Sequence, residues 1–225
     1  MRLTPTPLLR RFAVSLLLGA TLAAPIPLFA GAQDYTQLSA SVRASLQRSV
    51  ADQAPLHGAF ADSSQGRVWL SEMSRRLEKR LPNPQERVDF LNAVHYEAMR
   101  AGLDPHLVLG LIQVESAFRK YAVSTAGARG YMQIMPFWVT LIGETNHNLF
   151  SLRTNLRYGC TILRHYLDIE KGDLYRALGR YNGSLGLPDY PNLVLAAWKG
   201  NWSGPSQPAL DTAQDRAAAP RLARN

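Results

Sequence analysis

Cysteine, acidic residues and long apolar runs are all scarce in this chain of 225 residues. Its single cysteine cannot close an intrachain disulfide, which excludes a disulfide-framework protein and requires stability to come from a hydrophobic core. Beyond the N-terminal segment, no stretch approaches the roughly 20 apolar residues needed to span a bilayer. None of the five histidines lies three or four residues from another, so we expect no metal site.

The first 32 residues have the pattern of a secretory signal peptide. Arg10 and Arg11 precede an apolar run over 12–24, and Ala30-Gly31-Ala32 is a small-x-small cleavage site. A membrane anchor is the alternative, but glycine and proline residues interrupt the run. We predict cleavage after Ala32 and a periplasmic location.

Basic residues exceed acidic ones by 25 to 17. Three of the arginines lie within the predicted signal, so the remainder is only mildly basic, with 22 basic and 17 acidic side chains. This excess is too small for a polybasic nucleic-acid-binding surface. We predict no nucleic-acid partner and expect acidic polymers of the envelope, such as wall peptides or anionic lipids.

Helical spacing of apolar residues dominates the rest of the chain, and strand-like alternation is scarce. We predict a mainly α fold with four parts: a signal peptide at 1–32, a peripheral helical or linker segment at 33–65, one helical domain at 66–202 and a disordered tail at 203–225. The linker segment is expected to hold a helix at 35–50 and a break at 55–66.

Caps and apolar stripes predict the helices of the domain. They are a helix carrying Leu70, Met73 and Leu77; a helix over 85–100 that buries Val88, Leu91, Val94 or His95, and Ala98; a core helix launched by Asp104-Pro105; a stripe of Leu156, Cys160, Leu163 and Leu167; a short helix from Asp173 to Tyr181; and an aromatic helix over 190–202. Cys160 is interpreted as a core residue. Trp198 and Trp202 are interpreted as core, with sugar stacking as the alternative.

Glu115 is the most informative residue, because it lies on the apolar stripe of the core helix and in its last turn. Burial and the negative end of the helix dipole both raise the pKa of such a carboxyl, which is how a general acid is kept protonated near neutral pH. The alternative is a structural ion pair with Arg119 or Lys120. No Asp or Glu occurs between Ser116 and Gly143, so a second catalytic carboxylate would have to come from a distant segment.

Three motifs in order carry a family resemblance: Glu115-Ser116-Ala117-Phe118, then Gly127-x-x-Gly130 with Met132-Gln133-Ile134-Met135-Pro136, then Tyr181-Asn182-Gly183. Together they closely resemble the soluble lytic transglycosylase family over about residues 85–200. The resemblance implies a lysozyme-like helical domain with a cleft. It also implies cleavage of the peptidoglycan bond between N-acetylmuramic acid and N-acetylglucosamine, with a 1,6-anhydro product and no cofactor.

The same resemblance assigns roles to single residues. Glu115 corresponds to the catalytic acid and then base, and Tyr181 to a phenol that hydrogen-bonds or orients it. Gln133 and Met135 correspond to residues lining the sugar cleft. The other two matches are Ser124, a hydroxyl near the acid, and Asn182, a partner of the Tyr181 motif. Their structural alternatives are a turn cap for Ser124, a surface helix position for Gln133, and core positions for Met135 and Tyr181.

The chain departs from the family pattern at Arg119-Lys120, where the family often has Asn-Pro. Pairing of either cation with Glu115 would lower the pKa of the acid and shift the pH optimum. A hydrolytic lysozyme and a non-catalytic peptidoglycan-binding scaffold are the alternative functions. We expect a monomer, and a specialised enzyme that opens the wall for a secretion or conjugation apparatus is one form the function could take.

Overall fold

The computed structural model describes residue 33, residues 37–51 and residues 59–203. The predicted signal peptide and residues 204–225 of the predicted tail lie outside these residues, and both remain predictions. Across the described residues the chain forms nine α-helices, a terminal π-helical turn and no strand, with only isolated bridges pairing Arg129 with Val123 and Ile134. The predicted mainly α class is confirmed, and it is consistent with a lysozyme-like domain.

The helices are α1 (Ala40–Ala51), α2 (Ala59–Asp62), α3 (Ser64–Leu77), α4 (Pro84–Arg100), α5 (Pro105–Ser116), α6 (Phe137–Ile142), α7 (Leu152–Ile169), α8 (Leu174–Asn182), α9 (Asp189–Ala197) and the π-helical turn Trp198–Trp202. Among the described helices, none combines the length and apolar character that a membrane span requires.

Local cap chemistry sets several helix ends where the sequence predicts them. The side chain of Asn83 accepts a hydrogen bond from the backbone N–H of Glu86 at 3.1 Å, one residue before Pro84 begins α4. The side chain of Asp104 likewise accepts from the N–H of His106 at 2.8 Å ahead of α5. Such caps satisfy amide groups that have no partner inside the helix.

Helix α5 lies at the centre of the domain, packed against α4, α9 and the π-helical turn. Gly110 lets the last of these approach closely, since a Cβ there would lie 2.8 Å from the backbone nitrogen of Trp198. Trp202 is buried and Trp198 is half-buried against the same core. The core interpretation is therefore confirmed for Trp202 and for the fully buried Cys160, whereas Trp198 is only partly covered.

Three predictions about the periphery are wrong. The expected break at 55–66 instead contains α2 and the start of α3, whose N-cap Ser63 accepts a hydrogen bond from Gly66. The N-terminal helix is not peripheral, because it packs on α6 and α7 and buries Leu46 and Val50. Val88 is 36% exposed, since α4 turns the face with Phe90 toward its neighbours.

Candidate active site

Glu115 lies in the last turn of α5. The neighbouring buried residues of this helix are mostly apolar, as the sequence predicts. Its side chain is 2% exposed, as helices on several sides cover α5. The helix stops one residue later, because Ala117 and Phe118 adopt left-handed conformations with φ of 50° and 65°. This sharp turn leaves the carboxyl at the end of the helix, within the core of the domain.

One hydrogen bond holds the carboxyl of Glu115. The hydroxyl of Tyr190 on α9 donates to Oε1 at 2.5 Å. The other oxygen, Oε2, is buried and has no hydrogen-bond partner within the described part of the chain. Burial raises the pKa of Glu115 to about 8, against the opposing effect of the Tyr190 hydrogen bond. The group is therefore mostly protonated at neutral pH.

Tyr181 does not make the hydrogen bond to the acid that the resemblance suggests. Its hydroxyl, on α8, donates to the backbone carbonyl of Met132 at 2.8 Å, so its only proton is already engaged. Burial and, after it, the carboxyl charge of Glu115 raise the pKa of Tyr181. Tyr190, whose pKa burial and Glu115 also raise, takes the hydrogen-bonding position instead.

Tyr190 is the functional residue that the sequence interpretation missed. The sequence pattern places Tyr190 among the aromatic residues of the last helix, and its contact with Glu115 spans 75 residues. The only signal in the sequence is a tyrosine in the first turn of α9, directly after Asp189. A tertiary contact of this kind leaves no periodic pattern in the sequence.

Gln133 is buried at 2% exposure, with φ of 50°, and is not a surface helix residue. Its Nε2 donates to the carbonyls of Ala122 and Gly130, at 3.1 and 2.9 Å. Its Oε1 has no partner among the described residues. The side chain therefore ties together the turn that follows Glu115 and retains one acceptor.

The remaining predicted residues have mainly structural contacts. Ser124 Oγ accepts a hydrogen bond from the N–H of Ala128 at 3.0 Å, which is the turn-cap alternative. Met135 is half-buried against the core. Asn182 ends α8 and is 9% exposed, and its Nδ2 has no partner within the described residues.

The turn between Ser124 and Gly130 depends on close backbone approach. Gly130 has φ of 77°, and a Cβ there would lie 2.4 Å from Nδ2 of Asn155. Asn155 donates to the carbonyls of Arg129 and Leu149 and accepts from the N–H of Met132 at 2.8 Å. Asn155, a buried polar residue on α7, anchors the turn carrying Gln133, and no pattern in the sequence predicts this role.

Neither cation of the Arg119-Lys120 departure pairs with Glu115 in the described structure. Arg119 Nε donates to the carbonyl of Ser116 at 3.0 Å, and Lys120 Nζ lies over the ring of Tyr121, 5.3 Å from its centroid. The structural ion-pair alternative for Glu115 is thus not what the structure contains. No cation lowers the pKa of the acid.

Acids that could have folded back as a second catalytic carboxylate are used elsewhere or exposed. Asp168 pairs with Arg164, Asp173 caps α8, and Glu144 and Asp189 are exposed. No carboxylate is among the influences on the pKa of Glu115. Among the described residues, no group of three or more His, Cys, Asp or Glu side chains could hold a metal ion.

Residues 92–187, from the middle of α4 to the segment before α9, match the family model described as the transglycosylase SLT domain. This part of the chain is therefore similar to the transglycosylase SLT domain. Of the residues singled out above, Glu115, Gln133 and Tyr181 fall inside the matched range, whereas Tyr190 lies just beyond it.

Curated relatives of the SLT domain carry transglycosylase names. The "Transglycosylase" of Enterobacteria phage PRD1 is 40% identical over 81 residues, which cover 36% of this chain and 29% of the relative. "Membrane-bound lytic murein transglycosylase C" of Actinobacillus pleuropneumoniae serotype 5b (strain L20) is 51% identical over 47 residues, covering 21% and 13%. The protein of that name from Haemophilus influenzae (strain PittEE) is 45% identical over 47 residues, again covering 21% and 13%. The matched segments thus span less than a third of each relative.

Proposed function

We propose that this protein is a peptidoglycan lytic transglycosylase. It cleaves the glycosidic bond between N-acetylmuramic acid and N-acetylglucosamine, and Glu115 serves first as the acid and then as the base. The observation that carries the proposal is the desolvated carboxyl of Glu115, whose pKa is raised to about 8. A carboxyl of this kind holds a proton at neutral pH and can give it to a leaving oxygen.

The reaction moves two protons, one from Glu115 to the leaving oxygen and one from the substrate back to Glu115, and it consumes no water. Glu115 protonates the glycosidic oxygen as the bond between that oxygen and muramoyl C1 breaks, and the acetamido oxygen of the muramoyl residue stabilises C1. The Glu115 carboxylate then takes the proton of the muramoyl C6 hydroxyl while O6 bonds to C1. The product is the 1,6-anhydro sugar, and Glu115 is protonated again.

The two oxygens of the carboxyl divide these tasks. Oε1 accepts the hydrogen bond of Tyr190, which stabilises the carboxylate formed after the first proton transfer. Oε2 has no partner within the described residues and is the oxygen we assign to the proton that moves. Tyr190 thereby sets the orientation of the acid and moderates the effect of burial on its pKa.

Among the described residues, no second carboxylate acts on Glu115, which is compatible with assistance by the acetamido group of the substrate. Most glycosidases place two carboxyls on either side of the bond, about 5–9 Å apart, one of which acts on water or on the sugar. The groups that shift the pKa of Glu115 include no other carboxylate. Assistance by the acetamido group is the chemistry that such a site supports.

Mass spectrometry of the soluble products from purified peptidoglycan tests this proposal. We expect muropeptides one water lighter than the hydrated forms, while hydrated reducing ends would make the protein a lysozyme. Glu115→Gln should reduce turnover by at least about 10²–10⁴-fold. The matched control Glu78→Gln changes an exposed acid and should leave turnover unchanged. A non-catalytic scaffold would release nothing and would bind the wall equally well in all three forms.

The site of action is proposed to be the periplasm, on the pattern of the first 32 residues and the mild basic charge of the rest. N-terminal sequencing of the protein recovered from the periplasm should begin at Gln33. Retention of Met1 in a cytoplasmic fraction would contradict export. Action as a monomer, and a role beside a secretion or conjugation apparatus, remain predictions.

A further inference from the structure

A cavity of about 200 Å³ shares no residue with the Glu115 site. It lies between the end of α1, the segment before α7 and the first two turns of α7. Its lining consists of Val50, His147, Ser151, Arg153, Thr154, Arg157 and Tyr158. Nothing in the proposed reaction uses these residues.

The lining carries cations and hydroxyl groups and no carboxylate. Behind it lies Glu97, which is fully buried and receives Arg157 Nη2 at 2.9 Å and Arg100 Nε at 3.0 Å, with Arg153 at 3.7 Å. One carboxylate therefore faces three guanidinium groups. Glu144, which acts on Tyr158 through its charge, is exposed and does not line the cavity.

Arg157 supplies an unused donor at this cavity. Its residue is only 6% exposed, and its Nε and Nη2 both donate to Glu97. Its Nη1 makes no hydrogen bond within the described part of the chain and is not fully buried, so this donor is open to a ligand. A negatively charged oxygen in the cavity would provide its partner.

Neutral groups around Arg157 suit the same kind of ligand. Ser151 and Thr154 lie at the N-terminus of α7, and the Ser151 side chain makes no cap hydrogen bond. His147 Nδ1 lies 2.8 Å from the Tyr158 hydroxyl, which orients the imidazole at the cavity wall. Hydroxyls and the positive end of a helix dipole add to the attraction that arginine has for oxyanions.

We infer that this cavity binds a small oxyanion, a carboxylate or phosphate group, with Arg157 as its principal donor. Pockets for drug-sized ligands measure about 300–1,000 Å³, so this cavity accepts one anionic group or the end of a longer molecule. The inference is independent of the proposed function, because it involves no residue of the Glu115 site.

Thermal unfolding of the intact protein in sodium phosphate and in sodium acetate, against chloride at constant ionic strength, tests the inference. A ligand that binds only the native state raises the unfolding temperature in a saturable way. Thr154→Met places a larger apolar side chain in the cavity while keeping Arg157 and Glu97 themselves unchanged, and it should abolish that rise. Thr140→Met, at an exposed position on α6, is the matched control and should retain it.

Circular dichroism checks that Thr154→Met folds. If this variant does not fold, Ser151→Trp, which changes another residue lining the cavity, replaces it. A response to phosphate alone assigns a phosphate ligand, and a response to acetate as well assigns a carboxylate. In both cases the His147 proton signals should shift with the same midpoint. No saturable rise with either anion, or an equal rise in the filled variants, would overturn the inference.

Discussion

Two glutamates are buried in this helical domain, and their neighbours are opposite in character. Glu97 on α4 is fully buried and meets Arg100, Arg153 and Arg157. Glu115 on α5 is 2% exposed and meets one neutral phenol, that of Tyr190. The first carboxylate joins α4 to α7 through charge, whereas the second is surrounded by apolar side chains.

The difference shows that burial alone does not make a glutamate a general acid. A buried carboxylate paired with guanidinium groups has its charge compensated, so it serves the structure. A buried carboxyl that no cation meets keeps its proton up to an unusually high pH.

Glu97→Gln should have the largest effect on stability. It leaves Arg157 and Arg100 buried or partly buried without their carboxylate, and breaking a buried ion pair from one side costs about 3–5 kcal/mol. We expect the free energy of unfolding in urea to fall by that amount at pH 7. A loss below about 1 kcal/mol would mean that the arginines are compensated elsewhere.

Glu115→Gln should stabilise the protein, and by an amount that depends on pH. The pKa of this group rises from 4.5 to about 8 on folding, so the native state holds its proton longer than the unfolded state. Wild-type stability should therefore be unaffected by this group below pH 4.5, fall by about 1.4 kcal/mol per pH unit above it, and level off above pH 8.

Denaturant unfolding of wild type and Glu115→Gln between pH 4 and 9 measures this difference directly. The advantage of the variant should grow across the window and then become constant. A difference that stays flat across the window would contradict the raised pKa, whatever the activity of the variant.

Tyr190→Phe should alter catalysis more than stability. Without its hydrogen bond the pKa of Glu115 rises further, so the alkaline limb of the pH profile of kcat/KM should move upward. The carboxylate formed in the reaction loses about 1.5–3 kcal/mol of stabilisation, which corresponds to a rate about 10–100-fold lower.

Tyr181→Phe is the matched control for Tyr190→Phe. It removes a phenol of the same neighbourhood whose proton goes to the carbonyl of Met132, so the alkaline limb should stay in place. If both variants moved the limb equally, the assignment of Tyr190 as the partner of the acid would fail.

The smallest effect is expected for Arg119→Gln and Lys120→Gln. Neither cation pairs with Glu115, and exposed charges are largely screened by salt. The alkaline limb should move by less than about 0.3 pH unit, as for a screened surface charge. A larger upward shift on their removal would contradict the structure, because removing a cation that pairs with an acid raises the pKa of that acid.

Sequence patterns predict the parts of this molecule that depend on neighbouring residues. The caps at Asp104 and Asp173 are local, and the structure contains both. The burial of Glu115 follows equally from the apolar stripe around it. Such features need only a few adjacent residues to be recognised.

Contacts between distant residues could not be predicted in this way. The hydrogen bond from Tyr190 to Glu115 spans 75 residues, and the pair of Arg157 with Glu97 spans 60. Val88 was misassigned because the apolar stripe of α4 fits two faces, and only packing against α3, α5 and α7 selects one. Packing on α6 and α7 likewise makes the buried residues of α1 part of the core.

We conclude that Glu115 carries a proton at neutral pH because burial desolvates its carboxyl and no cation among the described residues faces it. A ¹³C NMR titration of the glutamate side-chain carboxyl carbons tests this most directly, with the Glu115 signal identified by its absence in Glu115→Gln. We expect that signal to titrate with a midpoint of about pH 8. A midpoint near the ordinary value of 4.5 would contradict it.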